Sequence, residues 1–353
     1  MRVAYFGTWE RGYPRNEQVI SSLRVAGVDV DLVHEELWTG EHKFATGVSV
    51  VPRLAAAEAR LAFRRIDPSS DALIVGYPGH TDVWSAKRHR KPVIFNAMVS
   101  LYDTLVEDRQ RFAAGSLPAR ALRALDRAAL RAADSVVADT DANARFLADY
   151  AGIAKPAVCY VGAEEHLFKP AWRPPKRFSA LFVGKLIPLH GVGVILDAAA
   201  RLPQIPFRII GSGQLDELLR DPPSNVEHVD WVEYVDLPSE YARAGCALGV
   251  FGTSAKARRV IPNKAFQALA VGTPLVTAAG EGVSELLEHG QNVLLTSTSG
   301  ESLAHAIQTL HDDAVLAERI GRAGRETFER EASERVLGSR WRDVVTAAVD
   351  RKR

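Results

Sequence analysis

Basic residues crowd the start of one predicted helix, in the segment VIPNKAFQALAVGTPLVT at 260–277. Pro262 suits the first helical position and Gly272 the position after the last turn, so Lys264 falls in the first turn. The preceding segment GTSAKARR, 252–259, is predicted to loop over the carboxyl edge of a strand and adds further cations. Because a helix N-terminus is itself positive, this crowding indicates a bound anion. A solvated basic loop is the alternative.

Polar and apolar positions of this helix separate by face. The apolar stripe, which we expect to be buried, consists of Ala265, Phe266, Leu269 and Ala270. Asn263, Lys264 and Gln267 lie at spacings that share the opposite face. The sequence therefore predicts an amphipathic helix whose polar face holds one cation and two amides.

Two other predicted strand-to-helix turns carry glycines, one of them with cations. They are VGKLIPLHG at 183–191, with Gly184, Lys185, His190 and Gly191, and IIGSG at 209–213, with Gly211 and Gly213. Gly191 would allow close backbone approach to a ligand, although turns need glycine in any case. Neither turn matches the G-x-G-x-x-G pattern, which disfavours a nicotinamide cofactor. Three such turns on successive strand ends are better explained by a nucleoside diphosphate.

Short apolar runs alternate with helix-period segments along the chain, a pattern typical of parallel α/β units. Predicted helices include 16–26, 52–65 and 116–133, and the predicted strands are 2–6, 28–33, 72–76, 92–96, 135–139, 157–161, 180–184, 207–211, 226–230, 246–251, 274–278 and 292–295. The polar, proline-bearing stretch 161–180 is interpreted as a linker. We predict an α/β chain of two Rossmann-like doubly wound domains, 1–170 and 171–337, with a helix at about 338–353 packing back on the first. Two such sheets would face each other across a ligand cleft.

The net charge, the cysteines and the lack of long apolar runs exclude several classes of protein. The 353 residues carry a formal net charge of +1, which gives no support for a nucleic-acid partner. Cys159 and Cys246 lie in apolar runs and are interpreted as buried thiols of a cytosolic protein. The N-terminus lacks the apolar core of a signal peptide, and no run approaches the ~20 residues of a membrane span. We expect a cytoplasmic protein that contacts a membrane only peripherally.

In the order and spacing of its motifs, the chain resembles the GT-B glycosyltransferases, specifically the large retaining family 4. The similarity is carried by 183–191, 209–213, 263–277 and 284–295, and in the first half by 133–140 and 161–170. It implies a first domain on the acceptor side and a second domain that binds a nucleotide sugar.

The resemblance also implies roles for individual residues. Lys185 stands where the family usually has an arginine that touches the donor diphosphate, and His190 stands where it has a second cation. With Lys264, these two would be the catalytic residues, because they would stabilise the leaving diphosphate. The donor-binding positions would be Gly184, Gly191, Gly211, Gly213, the backbone near Val232, Arg259, Asn263 and Gln267.

Two positions depart from the family pattern. Family members typically have two glutamates, one for the transferred sugar and one for the ribose hydroxyls, where this chain has Arg259 and Gln267. Gln267 can still hydrogen-bond a ribose diol, but Arg259 cannot accept a bond from a sugar hydroxyl. Lys264 would supply the charge that His190, mostly neutral at pH ~7, supplies poorly. The pattern indicates a divergent enzyme, with a non-catalytic nucleotide-sugar-binding partner of another transferase as the alternative.

Candidate acceptor-side residues follow strands of the first half. They are Arg11, Gly12, Arg15 and Asn16 in a loop that resembles the family's loop near donor and acceptor, His80 at an expected cleft-facing strand end, and Ser100 and Asp103. A helix entry with Pro14 at its first position and arginines at the surface is the alternative for the loop. A structural role is the alternative for His80, as helix capping is for Asp103.

Two arginine stripes mark neighbouring helices of the first half. They comprise Arg120, Arg123, Arg127 and Arg131 on one helix, and Arg53, Arg60, Arg64 and Arg65 on the other segment. A solvated face is the common explanation for each stripe. Together they indicate contact with an anionic membrane surface or with a lipid-diphosphate acceptor.

The predicted reaction is transfer of a hexose from a nucleoside-diphosphate sugar, UDP or GDP, to an acceptor hydroxyl, with retention. The acceptor would be a glycan or a lipid-linked molecule of cell-surface glycan or glycolipid synthesis. No Asp-x-Asp motif lies at a predicted strand end, so neither an essential metal nor a cofactor is expected. Another GT-B enzyme, such as an epimerase or a phosphorylase, and a dinucleotide-dependent oxidoreductase are the remaining alternatives.

Overall fold

The computed structural model describes residues 1–37 and 50–353. The chain divides into two compact units: Met1–Val106 with Gln110–Val161 and Glu334–Arg353, and Glu107–Arg109 with Gly162–Ser333. The change of unit after Val161 precedes the change predicted after residue 170, and the C-terminal segment returns to the first unit at Glu334 rather than at about 338. Each unit is built on its own sheet.

The first unit contains a six-stranded parallel sheet in the order β2-β1-β3-β4-β5-β6. Its strands are β1 (Arg2–Gly7), β2 (Asp29–His34), β3 (Ala72–Val75), β4 (Val93–Asn96), β5 (Ser135–Ala138) and β6 (Ala157–Val158). Every residue of β3 and β4 is buried, which explains why these strands read as unbroken apolar runs. All six predicted strands form. The last is shorter than predicted, because the Arg15 guanidinium binds the carbonyl groups of Cys159 and Tyr160.

Five helices of this unit flank the sheet on its two faces. They are α1 (Pro14–Val25), α2 (Val50–Phe63), α3 (Asp82–Lys87), α4 (Leu117–Ala132) and α5 (Asp141–Ala151). The helices α2 to α5 follow one another over one face, where they cover a core that includes Phe6, Val75 and Phe95. The helices predicted at 16–26, 52–65 and 116–133 are confirmed as α1, α2 and α4, with small shifts of their ends.

The second unit contains another six-stranded parallel sheet, in the order β12-β11-β10-β7-β8-β9. Its strands are β7 (Ala180–Val183), β8 (Phe207–Ile210), β9 (Val226–Val229), β10 (Cys246–Leu248), β11 (Leu275–Ala278) and β12 (Leu294–Thr296). All six were predicted, although β10 ends before residue 251. The strand order reverses between β7 and β10, the position at which doubly wound sheets bind ligands.

Seven further α-helices lie in the described part of the chain. They are α6 (Val192–Arg201), α7 (Leu237–Arg243), α8 (Ala255–Arg259), α9 (Asn263–Val271), α10 (Gly300–Asp312), α11 (Ala314–Glu331) and α12 (Glu334–Lys352). The segment predicted as a loop forms the short helix α8, because the Ser254 hydroxyl accepts a bond from the Ala257 N–H at 3.2 Å. α12 belongs to the first unit and packs on α1, over the sheet face opposite α2 to α5.

Both cysteines are buried and free, as predicted. Burial raises the pKa of the Cys159 thiol to about 12. Among the described residues, no helix has the length and apolar character needed to cross a bilayer.

The buried carboxyl group of Asp82 lies at the carboxyl end of β1. The Thr8 N–H donates to Asp82 Oδ2 at 2.6 Å, and the Thr8 hydroxyl donates to Asp82 Oδ1 at 3.1 Å. Gly7 has a φ of 129°, and a Cβ there would lie 2.1 Å from Asp82 Oδ2, so only glycine fits. Burial, followed by the nearby Glu58 carboxylate, raises the pKa of Asp82 well above its ordinary value. Asp82 is therefore protonated in the folded protein over a range in which an unfolded chain ionises it.

Asp82→Asn should stabilise the protein at neutral pH. The free energy of unfolding of the wild type falls as the pH rises above the unfolded carboxyl pKa of about 4, because the unfolded state then loses a proton that the folded state keeps. Asparagine cannot ionise, and its amide N–H can donate in place of the proton that Asp82 carries in the folded protein. We expect a gain on the order of 1 kcal/mol at pH ~7 that shrinks toward pH ~4.

Thermal melting across this pH range measures the effect, with Asp149→Asn at an exposed position of α5 as the control. A stability difference that does not change with pH would contradict a protonated Asp82.

Candidate functional site

Two glycine turns meet at the carboxyl edge of the second sheet. Gly184 follows β7 with a φ of 149°, and Gly211 follows β8 with a φ of 131°. A Cβ on Gly211 would lie 2.1 Å from the Gly184 carbonyl oxygen, and a Cβ on Gly184 would lie 2.7 Å from the Lys264 Nζ. The missing side chains allow the two turns to pack together and leave room for the Lys264 ammonium group.

The Lys264 side chain is buried and forms no ion pair with a described residue. It is 6% exposed, and among the described residues its Nζ has no hydrogen-bond partner. The Nζ lies 3.7 Å from the ring centroid of Phe182 in β7, which gives a cation–π contact. Burial lowers the pKa of Lys264 well below its ordinary value. An ammonium group in this position lacks the charge partner that burial normally requires.

The His190 ring lies beside the same lysine and is also buried. Its Nδ1 contacts the carbonyl oxygen of Lys185, so this nitrogen carries the proton and Nε2 keeps a lone pair. Burial, then the charge of Lys264, lowers the pKa of His190 well below its ordinary value. His190 is thus neutral at pH ~7, which is the protonation state expected from the sequence.

Two further positively charged side chains influence the pKa of the His190 ring. Arg109 and Lys256 both lower the pKa of His190 electrostatically. Lys256, on α8, is 7% exposed. Arg109 was missed from the sequence, because it is distant along the chain from every motif of the second half and only the fold groups residues 107–109 with that unit. The carboxyl edge therefore gathers at least three positive side chains around one histidine.

Comparison with known proteins identifies the fold of the chain. Residues 193–346 match the protein family described as "Glycosyl transferase-like". Sucrose-phosphate synthase from Thermosynechococcus elongatus has a TM-score of 0.77 at 18% identity, over 98% of this chain and 100% of that chain. HepE from Anabaena, solved with UDP-glucose, has a TM-score of 0.70 at 15% identity, over 98% and 100%. Residues 193–346 are thus similar to this glycosyl transferase-like family, and the chain has the GT-B fold.

Curated relatives of this GT-B chain carry glycosyltransferase names. The lipopolysaccharide core biosynthesis glycosyltransferase LpsE of Rhizobium meliloti is 26% identical over 155 residues, which are 42% of this chain and 45% of LpsE. The GDP-mannose-dependent monoacylated alpha-(1-6)-phosphatidylinositol monomannoside mannosyltransferase of Corynebacterium glutamicum is 25% identical over 176 residues, 46% of this chain and 45% of that protein. The chain spans about half the length of the curated relatives it matches.

Helix α9 of the GT-B chain differs from the predicted amphipathic helix. All its residues from Lys264 to Val271 are buried, so it has no solvated polar face. Pro262 stands just before the helix, at its cap, rather than at its first position. The end is as predicted, since Gly272 adopts a left-handed φ of 90°. Lys264 and Gln267 consequently point into the protein.

Gln267 is held by two tyrosines that were not predicted. Its Oε1 accepts from the Tyr241 hydroxyl at 3.0 Å, and its Nε2 donates to the Tyr234 hydroxyl at 3.2 Å. Tyr234 in turn donates to the buried carboxylate of Glu164 at 2.8 Å. The side chain predicted to bind ribose is therefore an internal link between α7, α9 and the segment after β9.

The other predicted donor-binding residues lie at the ends of neighbouring strands and helices. Gly191 has a φ of 66°, and a Cβ there would lie 2.5 Å from the Phe251 carbonyl carbon, so this glycine accommodates the loop after β10 rather than an open ligand space. A Cβ on Gly213 would lie 2.7 Å from the Leu186 carbonyl oxygen. Apart from glycines, the half-buried residues of the predicted set are Lys185, Val232, Arg259 and Asn263.

Two predicted acceptor residues, Arg15 and Asn16, are fully buried. The Arg15 Nη1 donates to the carbonyls of Cys159 at 2.9 Å and Tyr160 at 2.7 Å. Asn16 accepts from the Tyr5 hydroxyl at 2.7 Å and donates to the Tyr77 carbonyl at 2.8 Å. Pro14 begins α1, as the helix-entry alternative has it, but Arg15 is buried rather than at the surface. Arg11 and Gly12 of the same loop are exposed.

His80 is buried within the first unit, which favours its structural alternative. It is 1% exposed, and its Nε2 lies 3.3 Å from the buried Asp126 carboxylate. Ser100 donates to the same carboxylate at 2.6 Å, and the Asp103 N–H donates to the Ser100 hydroxyl at 3.0 Å. Asp126 organises this cluster and was missed. The sequence signal that could have revealed it is that Asp126 is the single acid in the arginine-rich segment 116–133.

One cavity of about 330 Å³ lies away from the carboxyl edge. It lies against α7 and the beginning of β7, with Ser179, Leu181, Arg208 and Glu240 in its lining. Arg208 and Glu240 pair at 2.8 Å there, so the cavity's charges are largely satisfied within the protein.

Lys264→Met should stabilise the ligand-free protein. Methionine keeps most of the apolar stem and removes a buried ammonium that lacks a hydrogen bond. We expect the free energy of unfolding to rise by about 1–2 kcal/mol, the desolvation penalty less the lost cation–π contact. Chemical denaturation in a buffer free of phosphate and sulfate measures it.

Lys176→Met, at an exposed position of the same unit, is the matched control and should leave stability unchanged. If Lys264→Met were less stable than the wild type, the ammonium group would stabilise the fold rather than serve to bind a ligand.

Proposed function

We propose that this GT-B chain is a retaining glycosyltransferase of family 4, which moves a hexose from a nucleoside-diphosphate sugar to an acceptor hydroxyl. The observation that carries the proposal is the buried Lys264 ammonium, which has no hydrogen-bond partner among the described residues and lies at the β7–β10 reversal. A diphosphate is the kind of anion that would satisfy it. The retaining stereochemistry is supported by the motif resemblance alone.

The chemistry proposed for the site is electrostatic. As the glycosidic bond to the donor breaks, the sugar gains oxocarbenium character and the diphosphate gains negative charge. Lys264 and the N-terminus of α9 would stabilise that charge, with Lys185 and Lys256 nearby and Gly184 leaving space for close approach. His190 has an unprotonated Nε2, so it would accept a hydrogen bond rather than supply a positive charge. Because these cations can do the work of a metal ion, we propose metal-independent transfer.

Donor and acceptor classes are proposed from the relatives. A structural neighbour was solved with UDP-glucose, and a curated relative is named as GDP-mannose-dependent, so UDP and GDP sugars are the first donors to try. Curated relatives are named for lipopolysaccharide core biosynthesis and for a phosphatidylinositol monomannoside. A glycan or lipid-linked acceptor of cell-surface synthesis is the corresponding proposal.

A second candidate function is a nucleotide-sugar-binding partner without catalysis of its own. It is favoured by Arg259 at a position where the resemblance leads one to expect glutamate, and by the engagement of Gln267 with Tyr234 and Tyr241. Both functions require the same diphosphate site. They differ in whether the donor is consumed.

Nucleotide sugars should raise the melting temperature in proportion to their fit. At a ligand concentration ~100 times the Kd, the stabilisation should approach ~2.7 kcal/mol. Lys264→Met should weaken binding about 10- to 100-fold, the scale of lost charge-assisted hydrogen bonds, whereas Lys176→Met should not. A panel of UDP, GDP and ADP sugars measures this. Equal binding by Lys264→Met and wild type would remove the observation on which the proposal stands.

Binding should also take up protons. Burial lowers the pKa of ligand-free Lys264, and an adjacent diphosphate would raise it again. At a pH above the ligand-free pKa, binding therefore draws protons from the buffer, and affinity falls as the pH rises. Titration calorimetry in two buffers of different ionisation enthalpy measures the uptake, which Lys264→Met should reduce. Proton release on binding would contradict this assignment.

Donor turnover separates the two candidate functions. A transferase should consume its donor, slowly by hydrolysis without acceptor and faster with one, and Lys264→Met should slow turnover about 100- to 1000-fold. EDTA should leave the rate unchanged. Tight binding with no consumption across a panel of glycan and glycolipid acceptors would support the non-catalytic function.

A further inference from the structure

Among the described residues of the first unit, one exposed face is basic and has no exposed acid on α2 or α4. α4 presents a row of side chains to solvent: Leu117, which is 80% exposed, and the arginines at 120, 123, 127 and 131. Its one acid, Asp126, is fully buried and accepts bonds from the Ser100 hydroxyl and from the N–H of Tyr102 at 2.9 Å. The exposed face of this helix therefore combines positive charge with apolar surface.

The neighbouring helices extend this surface. α3 packs against both α2 and α4. Phe63 at the end of α2 is 78% exposed, and Trp84 of α3 is 41% exposed. The one acid of α2, Glu58, turns inward and accepts a bond from the Ser85 hydroxyl at 2.5 Å. Each of the helices α2 and α4 thus directs its single acid toward the interior.

The cations of this face are only partly paired. Glu35 accepts from Arg60 at 2.8 Å and from Arg64 at 2.7 Å, so two arginines share one carboxylate. Arg123 stacks 4.1 Å from the ring centroid of Tyr102. Within the described part of the chain, neither Arg120 nor Arg127 enters an ion pair. Net positive charge therefore remains at the surface of α4.

We propose that the outer surface of α2, α3 and α4, here called the basic face, docks on an anionic lipid bilayer. Arginines would contact lipid phosphates, and the exposed side chains of Phe63, Trp84 and Leu117 would enter the headgroup region. A purely electrostatic partner such as a nucleic acid would leave these three apolar groups without a role. The inference goes beyond the transfer reaction and stands whether or not the chain is catalytic.

Cosedimentation with vesicles tests the basic face directly. The full chain should bind phosphatidylcholine vesicles that contain roughly one third phosphatidylglycerol, and should bind pure phosphatidylcholine far more weakly. The double variant Arg120→Gln with Arg127→Gln should bind the anionic vesicles about 30-fold more weakly, since each arginine near such a surface contributes about fivefold. Added salt should reduce the difference. Phe63→Ser with Leu117→Ser should reduce the binding that survives at high salt.

A matched control is available on the opposite side of the same sheet. Arg335 and Arg342 are exposed on α12, so Arg335→Gln with Arg342→Gln removes equal charge without touching the basic face. Circular dichroism should show that all variants keep the wild-type fold. Equal losses for the two arginine pairs, no preference for anionic vesicles, or equally tight capture of a DNA duplex would each overturn the proposal. Binding assays need no turnover, so a failed transferase assay leaves this test intact.

Discussion

The ammonium group of Lys264 is held over the ring of Phe182, inside the second unit and away from water. A folded chain can carry this penalty only because surrounding packing holds the side chain in place. The position of Gly184 supplies the space, and the buried helix α9 supplies the attachment. The arrangement of the carboxyl edge follows from this one constraint. Gly184 must lack a side chain, α9 must be buried, and the neighbouring His190 must be neutral.

The glycines in the turns at the carboxyl edge allow close packing between backbone segments. The sequence pattern instead predicts that they allow close approach of a ligand. Gly211 is small because it packs on the Gly184 carbonyl, and Gly191 is small because it packs on the Phe251 backbone. Close backbone-to-backbone contact joins the turns after β7, β8 and β10 into one rigid surface. A ligand at this edge would meet a surface shaped by internal packing, with a charged group beneath it. Preformed sites of this type favour binding because little has to be reorganised.

Polar residues of the first unit show that a polar side chain at the end of a strand can have a structural role instead of binding a ligand. Arg15, His80 and Ser100 have the side chains of a substrate site, and each follows or adjoins a parallel strand. All three are buried, and they satisfy carbonyl groups or the carboxylate of Asp126. The ends of parallel strands leave backbone groups that need partners, so polar residues collect there whether or not a ligand binds. Sequence position identifies the edge but not the direction in which a side chain points.

All twelve strands, the two doubly wound sheets and the crowding of cations near Lys264 were determined by the sequence itself, because apolar periodicity and turn residues act over short stretches of chain. Only the tertiary structure decided which polar side chains are buried and which groups they contact. It removed the polar face of α9, tied Gln267 to Tyr234 and Tyr241, and brought Arg109 to His190 from the other half of the chain. Those outcomes depend on contacts between segments far apart in sequence, which no local pattern encodes.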